Sequence, residues 1–218
     1  YCERNRNCEL QKLAEELHVR ERRIPGKKSD LKLDKSSPGI TRDPEKCILC
    51  GRCVRICEEE QKVSTLDFSN RGTKTYIATA FKKDLNFSSC INCGQCVVNC
   101  PTGALVERVQ FTDLDQYLHN PGKIAVVHYS PTVAVTLAEE FGIKPGKEVN
   151  GLINGVLRKL GFTKVFDTSF AADFYITEQA AELAERIKSG KNLPQFTSCC
   201  PGWVKYAEQF IPEYLSHF

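Results

Sequence analysis

Several features that would place a protein in another class are missing from this chain of 218 residues. No apolar run is long enough to span a bilayer, and we recognise no charged-then-apolar signal peptide. The formal net charge is only +3, which gives no case for nucleic acid as a partner. Hydrophobic residues make up 41% and charged residues 26%, values that are ordinary for a soluble globular protein.

Methionine is also absent, and the chain begins at Tyr1 inside a cysteine pattern and stops soon after a Cys-Cys pair. We therefore expect a piece of a longer polypeptide with one or two domains. Cysteine, by contrast, is abundant, with twelve residues. Without signs of export, this number predicts metal binding in a reducing compartment, the cytoplasm, and not a disulfide scaffold.

Eight of the cysteines form two runs with the spacing C-x2-C-x2-C-x3-C, which is the bacterial ferredoxin spacing. It predicts two [4Fe–4S] clusters, each taking three thiolates from one run and a fourth from the other. The expected ligand sets are Cys47, Cys50, Cys53 with Cys100, and Cys90, Cys93, Cys96 with Cys57. Zinc ribbons also use C-x2-C pairs, but normally two pairs and not two runs of four cysteines.

The rest of the sequence suggests four segments. We expect the tail of a cluster domain over 1–24, a linker rich in Pro, Gly, Ser and Lys over 25–41, a two-cluster domain over 42–118, and a third domain over 119–218. Leu10, Leu13, Ala14 and Leu17 share one face of a predicted helix. Alternation over residues 73–81 predicts a strand between the cysteine runs.

Strands alternate with helices after residue 119, which predicts a parallel α/β layer. The expected strands are 123–129, 164–167 and 195–197, and the expected helices are 131–141, 148–160, 169–188 and one beginning at Pro201. Ser130 should cap the first of these helices, with Pro131 at its first position. Both Ser130 and the Cys199–Cys200 pair would then lie at the carboxyl ends of strands, where sites gather in such sheets.

Cys199 and Cys200 are placed by this pattern at the N-terminus of a helix, where the helix dipole favours thiolate. One thiol could then ligate metal while its neighbour moves protons. The alternative is that one or both are buried structural cysteines.

The segment Thr197–Trp203, TSCCPGW, resembles the first signature of the [FeFe]-hydrogenase catalytic domain. Pro101–Leu105 and Asp167–Asp173 resemble further parts of the same proteins, so the resemblance covers nearly the whole chain. It implies an α+β two-[4Fe–4S] ferredoxin-like domain followed by the first part of an α/β hydrogenase catalytic domain. It also implies an H-cluster, a [4Fe–4S] cube joined to a two-iron subsite, in the full-length protein.

The resemblance also implies roles for individual residues. Cys200 would be the first of four cysteines that hold the H-cluster cube, and Cys199 would pass protons to the two-iron subsite. Glu182 and Arg186 match residues of the family's proton path, although a solvated surface salt bridge is the alternative. Ser130 and Pro131 would lie in the pocket of the two-iron subsite.

The chain departs from the family pattern in two places. Gln179 stands where a glutamate of the relay is common, and a glutamine cannot carry a proton by simple ionisation. Ser130 stands where alanine is common, so a hydroxyl is added to the pocket. The later signatures, with the other three ligands of the H-cluster cube, are absent from this sequence, so this piece alone cannot hold a complete H-cluster.

Cys2 and Cys8 have the last spacing of a cluster pattern with one histidine and three cysteines, H-x3-C-x2-C-x5-C. This pattern resembles that of multi-cluster hydrogenases and of respiratory complex I, and it implies an additional N-terminal [4Fe–4S] cluster. The implied partners are ferredoxin or NAD(P)-linked flavin and iron–sulfur subunits in a hetero-oligomer.

The leading interpretation is an oxidoreductase subunit that relays electrons to an H-cluster for reversible proton reduction. Three alternatives remain open. The chain could be a pure electron-transfer module like those of complex I or formate dehydrogenase, a cluster carrier without the two-iron subsite, or a hydrogenase-like sensor with weak turnover.

Overall fold

The structure is a computed structural model that describes residues 2–21, 23–26, 32–144 and 146–218. Contacts group the chain into two units. Unit 1 is Tyr1–Val109 with Thr197–Ser216 and Phe218, and unit 2 is Gln110–Phe196 with His217. The helix Phe111–Leu118 lies in unit 2, and the last helix of the chain, Pro201–Phe210, groups with unit 1. The domain boundary at 118/119 stays a prediction.

The described residues contain eight α-helices and six strands. The helices are α1 Glu9–Glu16, α2 Arg52–Arg55, α3 Gln95–Val98, α4 Phe111–Leu118, α5 Pro131–Glu140, α6 Asn150–Lys159, α7 Thr168–Ser189 and α8 Pro201–Phe210. The strands are β1 Ile40–Arg42, β2 Asp67–Ser69, β3 Tyr76–Ala78, β4 Leu105–Glu107, β5 Val126–Tyr129 and β6 Lys164–Asp167. No helix in these ranges is both long and apolar enough to cross a lipid bilayer.

Unit 1 is closed by an antiparallel pair between β1 and β4, in which Ile40 faces Glu107 and Arg42 faces Leu105. Strand β1 precedes the first cysteine run, and β4 follows the second. Their pairing therefore joins the two ends of the segment that carries all eight cysteines. The core that forms between them is apolar and contains Ile40, Val54, Leu66, Ile77, Leu85, Cys96 and Leu105.

The two cysteine runs fold alike because their sequences repeat. The residue two places after the first cysteine has a left-handed backbone in both runs, Leu49 at φ 59° and Asn92 at φ 57°. A glycine then precedes each short helix with φ of 73° at Gly51 and 76° at Gly94, a conformation that glycine adopts without steric cost. Helices α2 and α3 follow, so each run supplies its thiols from one tight turn and one helical turn.

Residues 27–31 of the predicted linker over 25–41 lie outside the described residues. The part that follows them is not a solvent-exposed connector. Asp34, Ser37 and Ile40 are buried, and Asp34 forms an antiparallel bridge with Arg42. Composition predicted a connector because Pro, Gly, Ser and Lys are frequent in loops. Tertiary contacts instead bury Asp34, Ser37 and Ile40 in unit 1.

Unit 2 contains the parallel pair β5–β6, with Tyr129 opposite Asp167, as the alternation of strands and helices predicts. Ser130 caps α5 and Pro131 is its first residue, as predicted, while Asp167 caps α7. Helix α7 ends at Gly190, which has a left-handed backbone. The predicted strand over 195–197 is wrong, because these residues pair with no strand and form irregular backbone.

Asp34 links the segment before β1 to the loop before the second cysteine run. Its carboxylate accepts hydrogen bonds from the backbone N–H of Ser36, at 3.0 Å, and of Leu85, at 2.8 Å. Burial alone would raise the pKa of Asp34, but these N–H groups and the charge of Arg42 lower it on balance. A carboxyl with a lowered pKa stabilises the fold at pH values above its ordinary pKa and loses that effect only as the pH falls through the lowered value.

We therefore expect Asp34→Asn to reduce the free energy of unfolding by about 1–3 kcal/mol, because the buried N–H of Leu85 loses a charged acceptor. The reduction should stay constant between about pH 5 and 8, since the native carboxyl is ionised throughout this window. Chemical denaturation of the intact protein at several pH values measures both quantities.

Asp84→Asn is the matched control, because Asp84 is exposed and its side chain caps no helix. This control should leave the stability within about 0.5 kcal/mol of the parent. An Asp34→Asn effect that already disappears at pH 5 would contradict the lowered pKa.

Candidate iron–sulfur sites

The first candidate site is a cavity in unit 1 lined by four thiols, Cys47, Cys50, Cys53 and Cys100. The remaining walls are mainly apolar and include Ile48, Leu66, Ile77 and Leu105. Two arginines, Arg42 and Arg52, also line it. Nothing in the cysteine spacing points to Arg42, which lies five positions before the first run.

The second candidate site is a separate cavity of unit 1 lined by Cys57, Cys90, Cys93 and Cys96. Its walls include Val63, Leu66, Leu85 and Ile91, so Leu66 lines both cavities. Each cavity thus combines three thiols of one run with the fourth thiol of the other, which is the grouping that the spacing predicts for two cubes. The assignment of these thiols as cluster ligands stays a prediction.

Backbone N–H groups point at sulfur atoms in both cavities. Leu49 N–H donates to Cys47 Sγ at 3.4 Å, and Asn92 N–H donates to Cys90 Sγ at 3.4 Å. Thr65 N–H donates to Cys57 Sγ at 3.3 Å. Hydrogen bonds to cluster sulfurs are among the factors that set reduction potentials, so these donors suit iron–sulfur ligands.

Burial and crowding of the thiols oppose their ionisation. Desolvation, followed by the charges of neighbouring cysteines, raises the pKa of Cys53 to about 11 and that of Cys96 to about 12. Burial also acts on Cys100, but the N–H groups of Thr102, Leu105 and Ala104 and the Thr102 hydroxyl lower its pKa on balance. Thiolates this crowded require positive charge among them, which iron supplies on binding.

The donors at each cavity suit a [4Fe–4S] cube. Four thiols line each mainly apolar cavity, and the irons of a [4Fe–4S] group lie at separate corners, where thiolates bind them. Within the described ranges, no three His, Cys, Asp or Glu side chains are placed to hold one metal ion.

Cys2 and Cys8 flank a turn ahead of α1, and both are partly buried. Cys8 is the residue before α1, and Arg6 N–H donates to Gln11 Oε1 at 2.8 Å across this turn. Tyr1 lies outside the described residues. The role of Cys2 and Cys8 in an N-terminal cluster stays a prediction.

Cys199 and Cys200 are both exposed in unit 1. Cys200 is the N-cap residue of α8, with Pro201 at the first helical position as predicted. The expectation that the pair follows a strand is wrong, because irregular backbone precedes it. The start of α8 packs against the loop between Cys90 and Cys93, since a Cβ atom added to Gly202 would lie 3.1 Å from the Ile91 carbonyl oxygen.

Glu182 and Arg186 lie one turn apart on α7 in unit 2 and form an ion pair, with Arg186 Nε donating to Glu182 Oε1 at 3.1 Å. The arginine is mostly buried, with 11% of its side chain exposed, whereas the Glu182 side chain is 50% exposed. Arg186 also donates to the carbonyl oxygens of Asn192, at 3.2 Å, and His217, at 2.8 Å. It is therefore not a solvated surface cation, and it anchors the segment that follows α7.

Ser130 and Pro131 lie where β5 passes into α5 in unit 2. Ser130 Oγ accepts a hydrogen bond from Val133 N–H at 3.4 Å, which uses a lone pair and leaves the hydroxyl hydrogen free to donate. Gln179 lies on α7 one turn before Glu182 and is partly buried. The roles of these residues around a two-iron subsite stay predictions.

The close approach at Gly202 generates a testable expectation. Gly202→Ala should lower the free energy of unfolding by about 1–3 kcal/mol, because the added Cβ crowds the backbone of Ile91 and forces the cluster loop or α8 to shift. Gly155→Ala is the control, since Gly155 lies within α6 and an added Cβ meets nothing within 4 Å. Denaturation of the intact protein should show stabilisation of up to about 1 kcal/mol for that control, and equal effects of the two changes would contradict the contact.

Comparisons with known protein families agree with these two kinds of site. Residues 46–104 match the 4Fe-4S dicluster domain. Residues 123–218 match the C-terminal domain of the iron-only hydrogenase large subunit. The first match contains both cysteine runs, and the second contains the Cys199–Cys200 pair.

Curated relatives match along nearly the whole chain. The NADP-reducing hydrogenase subunit HndD of Solidesulfovibrio fructosivorans is 41% identical over 98% of this chain. Iron hydrogenase 1 of Clostridium pasteurianum is 38% identical over 99% of this chain. The chain spans 38% of the length of each of these relatives.

A more distant relative is named for a different role. Cytosolic iron-sulfur assembly component 3 of Mus musculus is 31% identical over 62% of this chain and 31% of its own length. Residues 46–104 therefore match 4Fe-4S dicluster domains, residues 123–218 match the C-terminal domain of the iron-only hydrogenase large subunit, and nearly the whole chain is similar to two hydrogenases.

Proposed function

We propose that this chain is the electron-input and first catalytic segment of an [FeFe]-hydrogenase that interconverts protons and H₂. The observation that carries the proposal is the sorting of eight thiols into two cavities, each combining three cysteines of one run with one of the other. The packing of α8 on the loop of the second cavity adds support, because it places Cys200 in the same unit as that cavity.

The bound groups would supply one-electron redox steps in the two cubes and hydrogen chemistry at an H-cluster. The chain's own residues have simpler tasks. The eight thiols would hold the cubes, and Cys200 would contribute one ligand to the H-cluster cube. Cys199 gives and takes protons beside the two-iron subsite as a general acid and base.

Glu182 would exchange protons with solvent, because its side chain is half exposed and pairs with the mostly buried Arg186. Arg186 would act as a positioning residue that fixes both the carboxylate and the segment after α7. Ser130 and Pro131 would line the pocket of the two-iron subsite. Gln179, which cannot ionise, would leave the relay dependent on Glu182 and solvent.

The proposed partners follow from the relative named as a subunit of an NADP-reducing hydrogenase. They are NAD(P)-linked flavin and iron–sulfur subunits, or ferredoxin, in a hetero-oligomer. Cys2 and Cys8 would belong to an additional cluster on the electron-input side. The cytoplasm is the proposed compartment, because all twelve thiols are free and metal binding requires them reduced.

A second candidate function is supported by the likeness to the iron-sulfur assembly component. In that case the chain would carry cubes without producing H₂. The two functions differ in one observable, since only a two-iron subsite of the hydrogenase type carries iron-bound CO and CN⁻. An infrared spectrum of the matured full-length protein that lacks these bands, with iron and sulfide present, would favour the second function.

The crossed ligand sets can be tested by pairing variants. Cys100→Ala and Cys50→Ala should affect the same cube, because both thiols line the first cavity. Cys57→Ala and Cys93→Ala should both affect the other cube. Electron paramagnetic resonance of the reduced intact protein should therefore show two matching pairs of spectra. Spectra that match within each cysteine run would contradict the crossed arrangement.

The division of roles between the two adjacent cysteines gives a further prediction. Cys200→Ala should abolish the infrared bands of the H-cluster, because the cube loses a ligand. Cys199→Ala should keep these bands but lower H₂ turnover by about 10²–10⁴-fold, the usual contribution of a general acid or base. Cys199→Ala with turnover equal to the parent protein would contradict the proton role.

A further inference from the structure

Arg42 is a largely buried cation at the wall of the first cavity. Only 13% of its side chain is exposed, and it lies on β1 five residues before Cys47. Its Nη1 donates to the Ile77 carbonyl oxygen at 3.2 Å, which fixes the guanidinium against the core. Its Nε is buried and donates to no acceptor in the part of the chain that the structure describes.

The carboxylate of Asp34 compensates the positive charge of Arg42 only in part. Asp34 Oδ2 lies 4.0 Å from Arg42 Nε, beyond hydrogen-bond distance. Both oxygens of Asp34 already accept backbone N–H groups, from Ser36 and Leu85. A buried cation with an unsatisfied donor is costly unless further negative charge lies close by.

The first cavity would provide that negative charge. Four thiolates around a [4Fe–4S] cube form a net-negative group, and the group gains one further negative charge when one electron enters it. Arg42 and Cys47 line the same cavity. A fixed cation in a poorly solvated wall stabilises the reduced form more than the oxidised form, since Coulomb energy grows with the charge of the partner.

We propose that Arg42 raises the reduction potential of the cube held in the first cavity, and that Asp34 limits the rise. This inference rests on the proposed assignment of that cavity to a [4Fe–4S] cluster. Arg42 would act on the cube through its positive charge and not as a ligand. The step it favours is the one-electron reduction of the cube, with the electron supplied by a chemical reductant in the test and by the redox partner in the complex.

Arg52 offers a matched control because it is also an arginine that lines the first cavity. It differs from Arg42 in being exposed, on the first turn of α2. Water and salt screen an exposed charge, so its effect on the cube should be small. Comparing the two arginines therefore separates the effect of a buried cation from the loss of any arginine.

The test is a redox titration of the intact, anaerobically purified protein with a chemical reductant, followed by electron paramagnetic resonance. The signal of the first cube is the one that Cys50→Ala removes. At the midpoint of the parent protein, Arg42→Gln should lower the ratio of reduced to oxidised first cube about tenfold, a shift of about 59 mV for one electron. Arg52→Gln should change this ratio less than about twofold.

Asp34→Asn makes the opposite change in charge, because it removes the negative charge that partly compensates Arg42 and leaves Arg42 in place. It should raise the reduced-to-oxidised ratio of the first cube at the same potential. An unchanged ratio in Arg42→Gln would overturn the inference, as would a lowered ratio in Asp34→Asn. If Arg42→Gln fails to load iron, the Asp34→Asn titration decides alone, and an unchanged ratio there overturns the inference.

The iron and sulfide content of the parent protein distinguishes this inference from the function on which it rests. Parent protein without iron and sulfide would refute the proposed clusters themselves. Parent protein with roughly eight or more iron atoms and no response to Arg42 or Asp34 would refute only the role of the arginine.

Discussion

The structure of unit 1 depends on one constraint, which is that each cavity collects thiols from both cysteine runs. Cys100 must reach the first run and Cys57 must reach the second. The pairing of β1 with β4 provides this closure, because β1 leads into the first run and β4 leads out of the second. Burial of the crowded thiols raises the pKa of Cys53 and Cys96, so the fold and the iron it would bind stabilise each other.

The two cysteine runs have similar backbone conformations, but the side chains around the two cavities differ. Arg42 and Asp34 place a buried ion pair at the first cavity. At the second, the wholly buried Ser37 donates to Asn92 Oδ1 at 2.7 Å, and Asn92 N–H donates to Cys90 Sγ. Leu49 occupies the position of Asn92 in the first run and has no amide to accept such a bond. Identical spacing therefore yields two sites with different electrostatic surroundings.

Several elements followed from local sequence alone. Ser130–Pro131 and Cys200–Pro201 both predicted the start of a helix, because proline fits the first turn and the residue before it takes an extended backbone. The strand predicted over 195–197 is wrong because Phe196 and Thr197, which have strand propensity, find no neighbouring strand to pair with. The segment around Asp34 and Ser37 was predicted to be a linker, since composition records turn-forming residues but not the long-range partners Leu85 and Asn92.

The sequence by itself predicted the chemistry of the sites, because the C-x2-C-x2-C-x3-C spacing and TSCCPGW place candidate iron ligands within short stretches of chain. It also carries the similarity to iron-only hydrogenases. Only the tertiary structure decided which distant residues surround those thiols: Arg42 beside the first cavity, Ser37 behind Asn92, and the Ile91 carbonyl against Gly202. Spacing is a local property of the chain, whereas the electrostatic surroundings of a cavity are set by residues that only folding brings together.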